Sequence, residues 1–475
     1  MNEIELRLAR LRELMKREHL SAFIFPSTDA HQSEYVADHW RGREWISGFN
    51  GSAGTAVVTM KSAALWTDSR YFLAAEEQLE GTEYQLMRLK MEGTPTIAEW
   101  LGKELQDVQS PEVGLDGMVN SYNYVKDLSY SLRKLGGITL RTNLDPLEQI
   151  WENRPSLPAN PVEIQPLEYA GETLASKVAR IRKALRELHA DGMLVSALDD
   201  IAWTLNLRGT DVHCNPVFVS YLLIESDKVS LFVDDNKLSP EVKQYLQDNQ
   251  VSLYKYNKVE KCLESYSEYN ILLDGDETSY YLWKAVKCQE IVAAGSPIPA
   301  MKAVKNKAEI EGYRSAMLKD GVAMVKFLKW LKPAVEAGGQ TEISIDEKLT
   351  SLRAEQKLFR DISFDTIAGY AQHGAIVHYE ATPETDVVLK PEGLILIDSG
   401  AQYQDGTTDI TRTIALGPVQ FRAQIFQELI YTQHNVVPFS FRQRSYENYF
   451  KLPNFLRIFY FYSSFARNCW SVSGR

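Results

Sequence analysis

The clearest chemical potential in this chain belongs to Asp398 and Asp409, on either side of a turn signal in Leu394-Ile-Leu-Ile-Asp-Ser-Gly-Ala-Gln-Tyr-Gln-Asp-Gly-Thr-Thr-Asp-Ile-Thr-Arg-Thr413. Residues 394–397 form an apolar β-type stretch, Gln404-Asp405-Gly406 favours a turn, and residues 407–414 are rich in β-branched types. The spacing predicts one hairpin with the two acids roughly opposite each other across its ladder. Carboxylates aimed the same way at that distance repel unless a cation lies between them or one takes a proton. A divalent metal site answers that cost. Either aspartate alone reads as readily as a turn former or a surface residue. The pair, flanked by Gly400, Thr408 and Thr411-Arg412-Thr413, is what points to ligation.

Several elements must position such a hairpin, and the chain before it is organised in repeats. A helical pattern over residues 6–15 precedes a strand pattern at 21–25, and residues 178–188 precede 192–195 in the same way. Each copy continues to a tryptophan with an apolar residue four places on, Trp45 with Phe49 and Trp203 with Leu207. Each then gives two β-rich runs, 54–60 with 63–71 and 217–224 with 228–235, so two related α/β domains are expected. Prolines punctuate residues 153–161 and 295–300, which sets expected domains at 1–158, 159–300 and 301–418.

The third domain opens with apolar residues at helical spacing: Ile310, Tyr313, Met317, Val322, Met324, Val325 and Leu328. Pro333 and Gly338-Gly339 are expected to end that helix. A second helix over 343–356 and then β-rich chain make this domain α+β.

Composition sets the outer bounds. With 475 residues, 44% hydrophobic and 24% charged, the chain reads as a multidomain globular protein. No apolar run reaches bilayer length and the first residues lack signal-peptide character, so no membrane contact and a cytoplasmic location are expected. Cys214, Cys262, Cys288 and Cys469 show no C-x-x-C spacing, which implies neither a structural zinc nor a disulfide framework. A net charge of -11 argues against general nucleic-acid binding.

Several motifs agree in order and spacing with one family. Asp29-Ala-His-Gln-Ser-Glu-Tyr35, Gly48-Phe-Asn-Gly-Ser-Ala-Gly-Thr55, Trp66-Thr-Asp-Ser-Arg-Tyr71, Asp199-Asp-Ile-Ala-Trp-Thr-Leu-Asn-Leu-Arg-Gly209, Lys302-Ala-Val-Lys-Asn306 and the aspartate hairpin resemble the three-domain, creatinase-type form of Xaa-Pro aminopeptidase. The resemblance runs from about residue 4 to Pro418. It implies two creatinase-type α/β domains followed by a pita-bread metallopeptidase domain, and hydrolysis of the bond between the first residue and a proline in second position. It also implies two manganese ions, with cobalt or zinc able to replace them, and a homodimer. Asp398 and Asp409 match family metal ligands, the second bridging both ions. His378, in Gly374-Ala-Ile-Val-His-Tyr379, matches a strand histidine that hydrogen-bonds the substrate. Arg70 matches an arginine of the first domain that reaches the peptide. His31 lies in a family motif and is read as structural, and His373 is read as a loop histidine without a catalytic part.

After Pro418 the resemblance is expected to stop. The family's His-x-x-Gly-His-Gly loop, its Glu-Pro-Gly turn and its final glutamate are absent, and His434, Glu428 and Glu447 sit in unrelated surroundings. Residues 419–475 carry seven basic and two acidic residues with one glycine, amid many aromatics. This segment reads as the product of a frame shift or a misplaced gene end, in preference to a membrane-anchoring segment. The pita-bread domain is therefore expected to be incomplete and the chain nearly or wholly inactive. Three other identities compete: a non-catalytic pita-bread protein that binds peptides or partners, a prolidase, and a creatinase. Retention of both aspartates and His378 disfavours the first.

Overall fold

The computed structural model describes residues 2–419, so the expectations for the chain beyond Val419 lie outside the described residues. Two compact units are present: Met1–Ser315 with Gln404–Gly406, and Ala316–Tyr403 with the chain from Thr407.

The N-terminal unit begins with helix Glu3–Arg17. Asn2 starts it by accepting the Glu5 amide proton, while the Glu5 carboxylate accepts the Asn2 amide proton. Leu8, Leu11, Leu14 and Met15 then share its buried face. Strands β1 (Ala22–Phe25), β2 (Thr55–Thr59), β3 (Ala63–Thr67), β4 (Tyr84–Arg88), β5 (Glu112–Leu115) and β6 (Thr139–Arg141) form one sheet in the order β4-β3-β2-β1-β5-β6. In it β1 runs antiparallel to β2, Ala22 opposite Thr59, and parallel to β5, Ala22 opposite Val113.

The two-residue strands β7 (Glu163–Ile164) and β9 (Leu207–Arg208) pair with each other around the second copy of the unit. Helix Leu174–Glu187 precedes β8 (Gly192–Val195), and β10 (Ser220–Glu225), β11 (Val229–Val233), β12 (Val251–Lys255), β13 (Asn270–Leu273) and β14 (Glu290–Ala293) complete the order β12-β11-β10-β8-β13-β14. Its central strand β8 again has an antiparallel neighbour on one side and a parallel one on the other. Position for position the two sheets share one topology, as the repeated helix-strand pattern predicts.

Among its described residues the second unit contains the greater part of helix Lys307–Ala337, then helix Glu342–Ala354 and six short strands. Pro333 lies inside the first helix rather than ending it; the helix stops before Gly338 and Gly339, which both have positive φ. The buried stripe also differs from the expected one. Ala316, Ala323, Met324, Phe327, Leu331 and Val335 face the core, whereas Ile310, Tyr313, Met317, Val322, Val325 and Leu328 are exposed. The core-facing stripe includes Asp320, fully buried and ion-paired to Arg353 of the second helix.

Strands β15 (Phe359–Ile362), β18 (Ala401–Tyr403) and β19 (Gly406–Thr407) make one sheet, and β16 (Ile367–Tyr370), β17 (Leu394–Ser399) and β20 (Ile410–Ala415) another. The predicted hairpin is therefore two-tiered: β17 pairs with β20, while its tip, β18 and β19, belongs to the neighbouring sheet. The chain changes sheets at Gly400, where a Cβ would collide with the Thr408 carbonyl and the Ser363 hydroxyl. Among the described residues no helix is long and apolar enough to cross a membrane.

Candidate metal centre

Alternation along β17 decides what the hairpin can do. Ile395 and Ile397 point into the core with Leu349, Phe327 and Ala368, so Leu396 and Asp398 occupy the face turned away from the helices. Asp398 pairs with Thr411 across the ladder, and Ile367 of β16 flanks it on the other side. Asp409 precedes β20 by one residue and is thus the diagonal neighbour of Asp398 on the same face. The two acids are not directly opposite, as expected from the sequence, because the register places Thr411 there. They still meet: the two carboxyl groups lie close enough for each to shift the titration of the other.

Thr411 Oγ1 donates a second bond to Asp398 Oδ1 at 2.7 Å. Burial pushes the Asp398 carboxyl up to about 6, the Thr411 bond pulls it down, and the Asp409 charge pushes it up again. Burial also raises Asp409, against its side-chain interaction with Asp398. The buried Asp398 beside the exposed Asp409 offers hard oxygen donors that fit a divalent ion. Among the described residues no third histidine, cysteine, aspartate or glutamate joins the pair as a potential ligand.

His378 does not lie on a strand. After a single 3₁₀ turn, His373–Ala375, the chain makes a further turn in which His378 adopts φ +57°. Just before it Gly374 closes on β16: a Cβ on Gly369 would come within 2.8 Å of the Gly374 nitrogen, and the segment folds back on the strand instead of extending. This segment nonetheless reaches the carboxylate face. Tyr379 packs on Ile367 and Leu396, the residues that flank Asp398 across and along the sheet.

Arg70 belongs to the N-terminal unit. It follows β3 and is clamped by Asp68, Nε to Oδ1 at 2.9 Å and Nη2 to Oδ2 at 2.8 Å, with its guanidinium 5.2 Å from the Tyr71 ring.

Sequence reasoning missed Glu342, at the first turn of helix Glu342–Ala354. This fully buried carboxylate accepts the Tyr370 amide proton at 2.7 Å and the Tyr379 hydroxyl proton at 2.9 Å, and His373 Nδ1 lies 3.0 Å from both its oxygens. Burial raises the Tyr379 hydroxyl, so it stays a donor at neutral pH. A glutamate in a first helical turn normally serves the helix dipole, so its residue type alone carried no signal.

Comparison with known proteins follows the same outline. Two Creatinase/Prolidase N-terminal domain profiles match residues 7–142 and 153–309, and the metallopeptidase family M24 profile matches residues 311–436. The last match runs past Pro418, where the resemblance was expected to stop. The Xaa-Pro aminopeptidase ApepP of Drosophila melanogaster is 38% identical over 437 residues, covering 89% of this chain and 71% of that protein. Xaa-Pro aminopeptidase 1 of Dictyostelium discoideum is 36% identical over 443 residues, covering 90% and 70%. Among solved structures, the X-prolyl aminopeptidase of Caenorhabditis elegans, described as a cytosolic enzyme with a di-nuclear active site, superposes with a TM-score of 0.83 at 31% identity, over 89% of this chain and 71% of that one. With its paired aspartates on the hairpin and this extent of identity along both units, the chain belongs to the Xaa-Pro aminopeptidase family.

Proposed function

We propose that this chain is built as a metal-dependent aminopeptidase that releases the first residue of a peptide whose second residue is proline. The observation that carries this reading is the pair Asp398 and Asp409, side by side on the face turned away from the core and coupled in charge. Hard oxygen donors favour Mn(II), and Asp398 and Asp409 would hold such ions. When bound, paired ions lower the pKa of a shared water and polarise the substrate carbonyl.

The remaining tasks fall to side chains. An Xaa-Pro bond is a tertiary amide with no N–H, so a peptide cannot be gripped through that group as in an added strand. His378, on the segment that Tyr379 lays over the carboxylate face, is assigned a hydrogen bond to the substrate as charge develops on the scissile carbonyl. Arg70 is proposed as a peptide-contacting residue on the strength of its motif. A homodimer and a cytosolic location complete the proposal, the latter supported by the description of the Caenorhabditis elegans enzyme.

Among the described residues no third ligand joins these two carboxylates, and two alone hold a divalent ion weakly, so slow turnover at most is expected of them. The test is release of the first residue from a short Xaa-Pro peptide with added Mn(II), beside Asp398→Asn. The reading expects any release to be confined to peptides with proline second and to vanish in Asp398→Asn. Release that ignores the proline or survives Asp398→Asn would overturn it.

A further inference from the structure

The segment that carries His378 is not held by the regular ladder of the sheet. It leaves β16 at Tyr370, folds back at Gly374 and reaches Tyr379 through a turn in which His378 adopts a left-handed conformation. A β-carbon in that region is costly, so surrounding contacts must enforce the conformation. Three such contacts converge on one carboxylate. Glu342 takes the Tyr370 amide proton where the segment begins, His373 within it, and the Tyr379 hydroxyl immediately after His378. Tyr379 is held further by Thr385, 3.1 Å between hydroxyl oxygens, and by its packing on Ile367 and Leu396.

The geometry points to Glu342 as a positioning residue: it staples both ends of residues 370–379 and thereby holds His378 over the face that carries Asp398 and Asp409. The inference rests on the reading of those aspartates as metal ligands. Three donors on one buried acceptor fix an orientation more firmly than three separate bonds to solvent-exposed partners, because the carboxylate cannot leave without abandoning all three in a dry site. Catalytic side chains need such support, since a small misplacement of the supporting shell is enough to spoil the geometry. The bonds of Glu342 run to Tyr370, His373 and Tyr379 and not to the aspartates, so its loss is expected to leave metal affinity unchanged while His378 moves.

That separation defines the experiment. With histidine labelled in its ring, Mn(II) at the aspartates broadens the resonances of nearby imidazoles, and His378 is assigned by its disappearance in His378→Ala. The full chain is compared with Glu342→Ala, with Glu342→Gln, which keeps the shape and one acceptor oxygen, and with Tyr379→Phe, which removes one of the three bonds. Expected are strong broadening of His378 in the wild type, a severalfold loss in Glu342→Ala, a smaller loss in Tyr379→Phe, retention in Glu342→Gln, and the same Mn(II) affinity throughout. Undiminished broadening in Glu342→Ala and Tyr379→Phe would overturn the positioning role and leave the metal reading intact. Broadening that persists in Asp398→Asn with Asp409→Asn would overturn the metal reading and the inference with it.

Discussion

At the residue scale the central point is that burial raises the Asp398 carboxyl, so that in mild acid a proton competes with a metal ion there. Burial holds its carboxyl at about 6, so in the metal-free protein it is protonated below that pH and ionised above it. Only the ionised form ligates. Mn(II) affinity is therefore expected to weaken by about tenfold for each pH unit below about 6 and to level off above it. Titration with Mn(II) across that range by electron paramagnetic resonance checks this, and a flat profile would separate Asp398 from the site. The aspartates were legible because an apolar strand pattern, a turn and a β-branched run bracket them in one short stretch. Glu342 was not, because its partners at Tyr370, His373 and Tyr379 reach it only after the chain has passed through a helix and a strand. His378 is a candidate from the sequence, but its left-handed backbone was not legible, because it lies in a turn that follows the close approach of Gly374 to Gly369.

At the element scale the two helices of the second unit are tied by a pair that misleads a count of apolar positions. Arg353 Nε donates to Asp320 Oδ1 at 2.6 Å and Nη2 to Oδ2 at 3.2 Å, with both side chains fully buried. A charged residue in the middle of the core-facing stripe makes that stripe look less apolar than its neighbour, which explains why the periodicity favours the exposed stripe. The energetics follow from the same burial. Removing one partner leaves an uncompensated charge in the core, so Arg353→Ala or Asp320→Ala is expected to cost about 3–5 kcal/mol in urea unfolding. Replacing both at once with Arg353→Met and Asp320→Leu restores an apolar contact and is expected to recover most of that loss. A double variant as unstable as either single one would mean that the pair contributes more than mutual neutralisation. The strands were easier to read, since β17 and β20 follow apolar and β-branched runs, but the sheet change at Gly400 depends on clearance that only the fold displays.

At the scale of the whole molecule the duplication was visible in the order of helix and strand patterns, and the contacts that join the copies were not. His31 makes that junction. It lies beyond β1 in the first copy, yet Nδ1 is 2.9 Å from the Ser196 carbonyl oxygen and Nε2 is 2.9 Å from the Tyr256 hydroxyl, both in the second copy. The Tyr221 ring stands 4.4 Å away, and the Tyr221 hydroxyl donates back to the Ala30 carbonyl. The structural role expected for this histidine fits the placement, and it makes the joint sensitive to acid. Burial lowers the His31 pKa, opposed by the Asp29 charge and the Ser196 carbonyl and reinforced by Lys237. A depressed folded-state value means that the unfolded chain binds the extra proton, so the stabilisation is complete above the unfolded value of 6.5 and is lost as the pH falls below it. His31→Asn carries no titrating ring and gives up part of the contact at every pH. Its thermal unfolding is expected to lie well below that of the wild type at about pH 7.5 and to approach it at about pH 5, as protonation removes the wild-type advantage. A difference that stays constant over this range would show that His31 joins the two copies without sensing the proton, and that the acid response of this unit arises from its carboxylates.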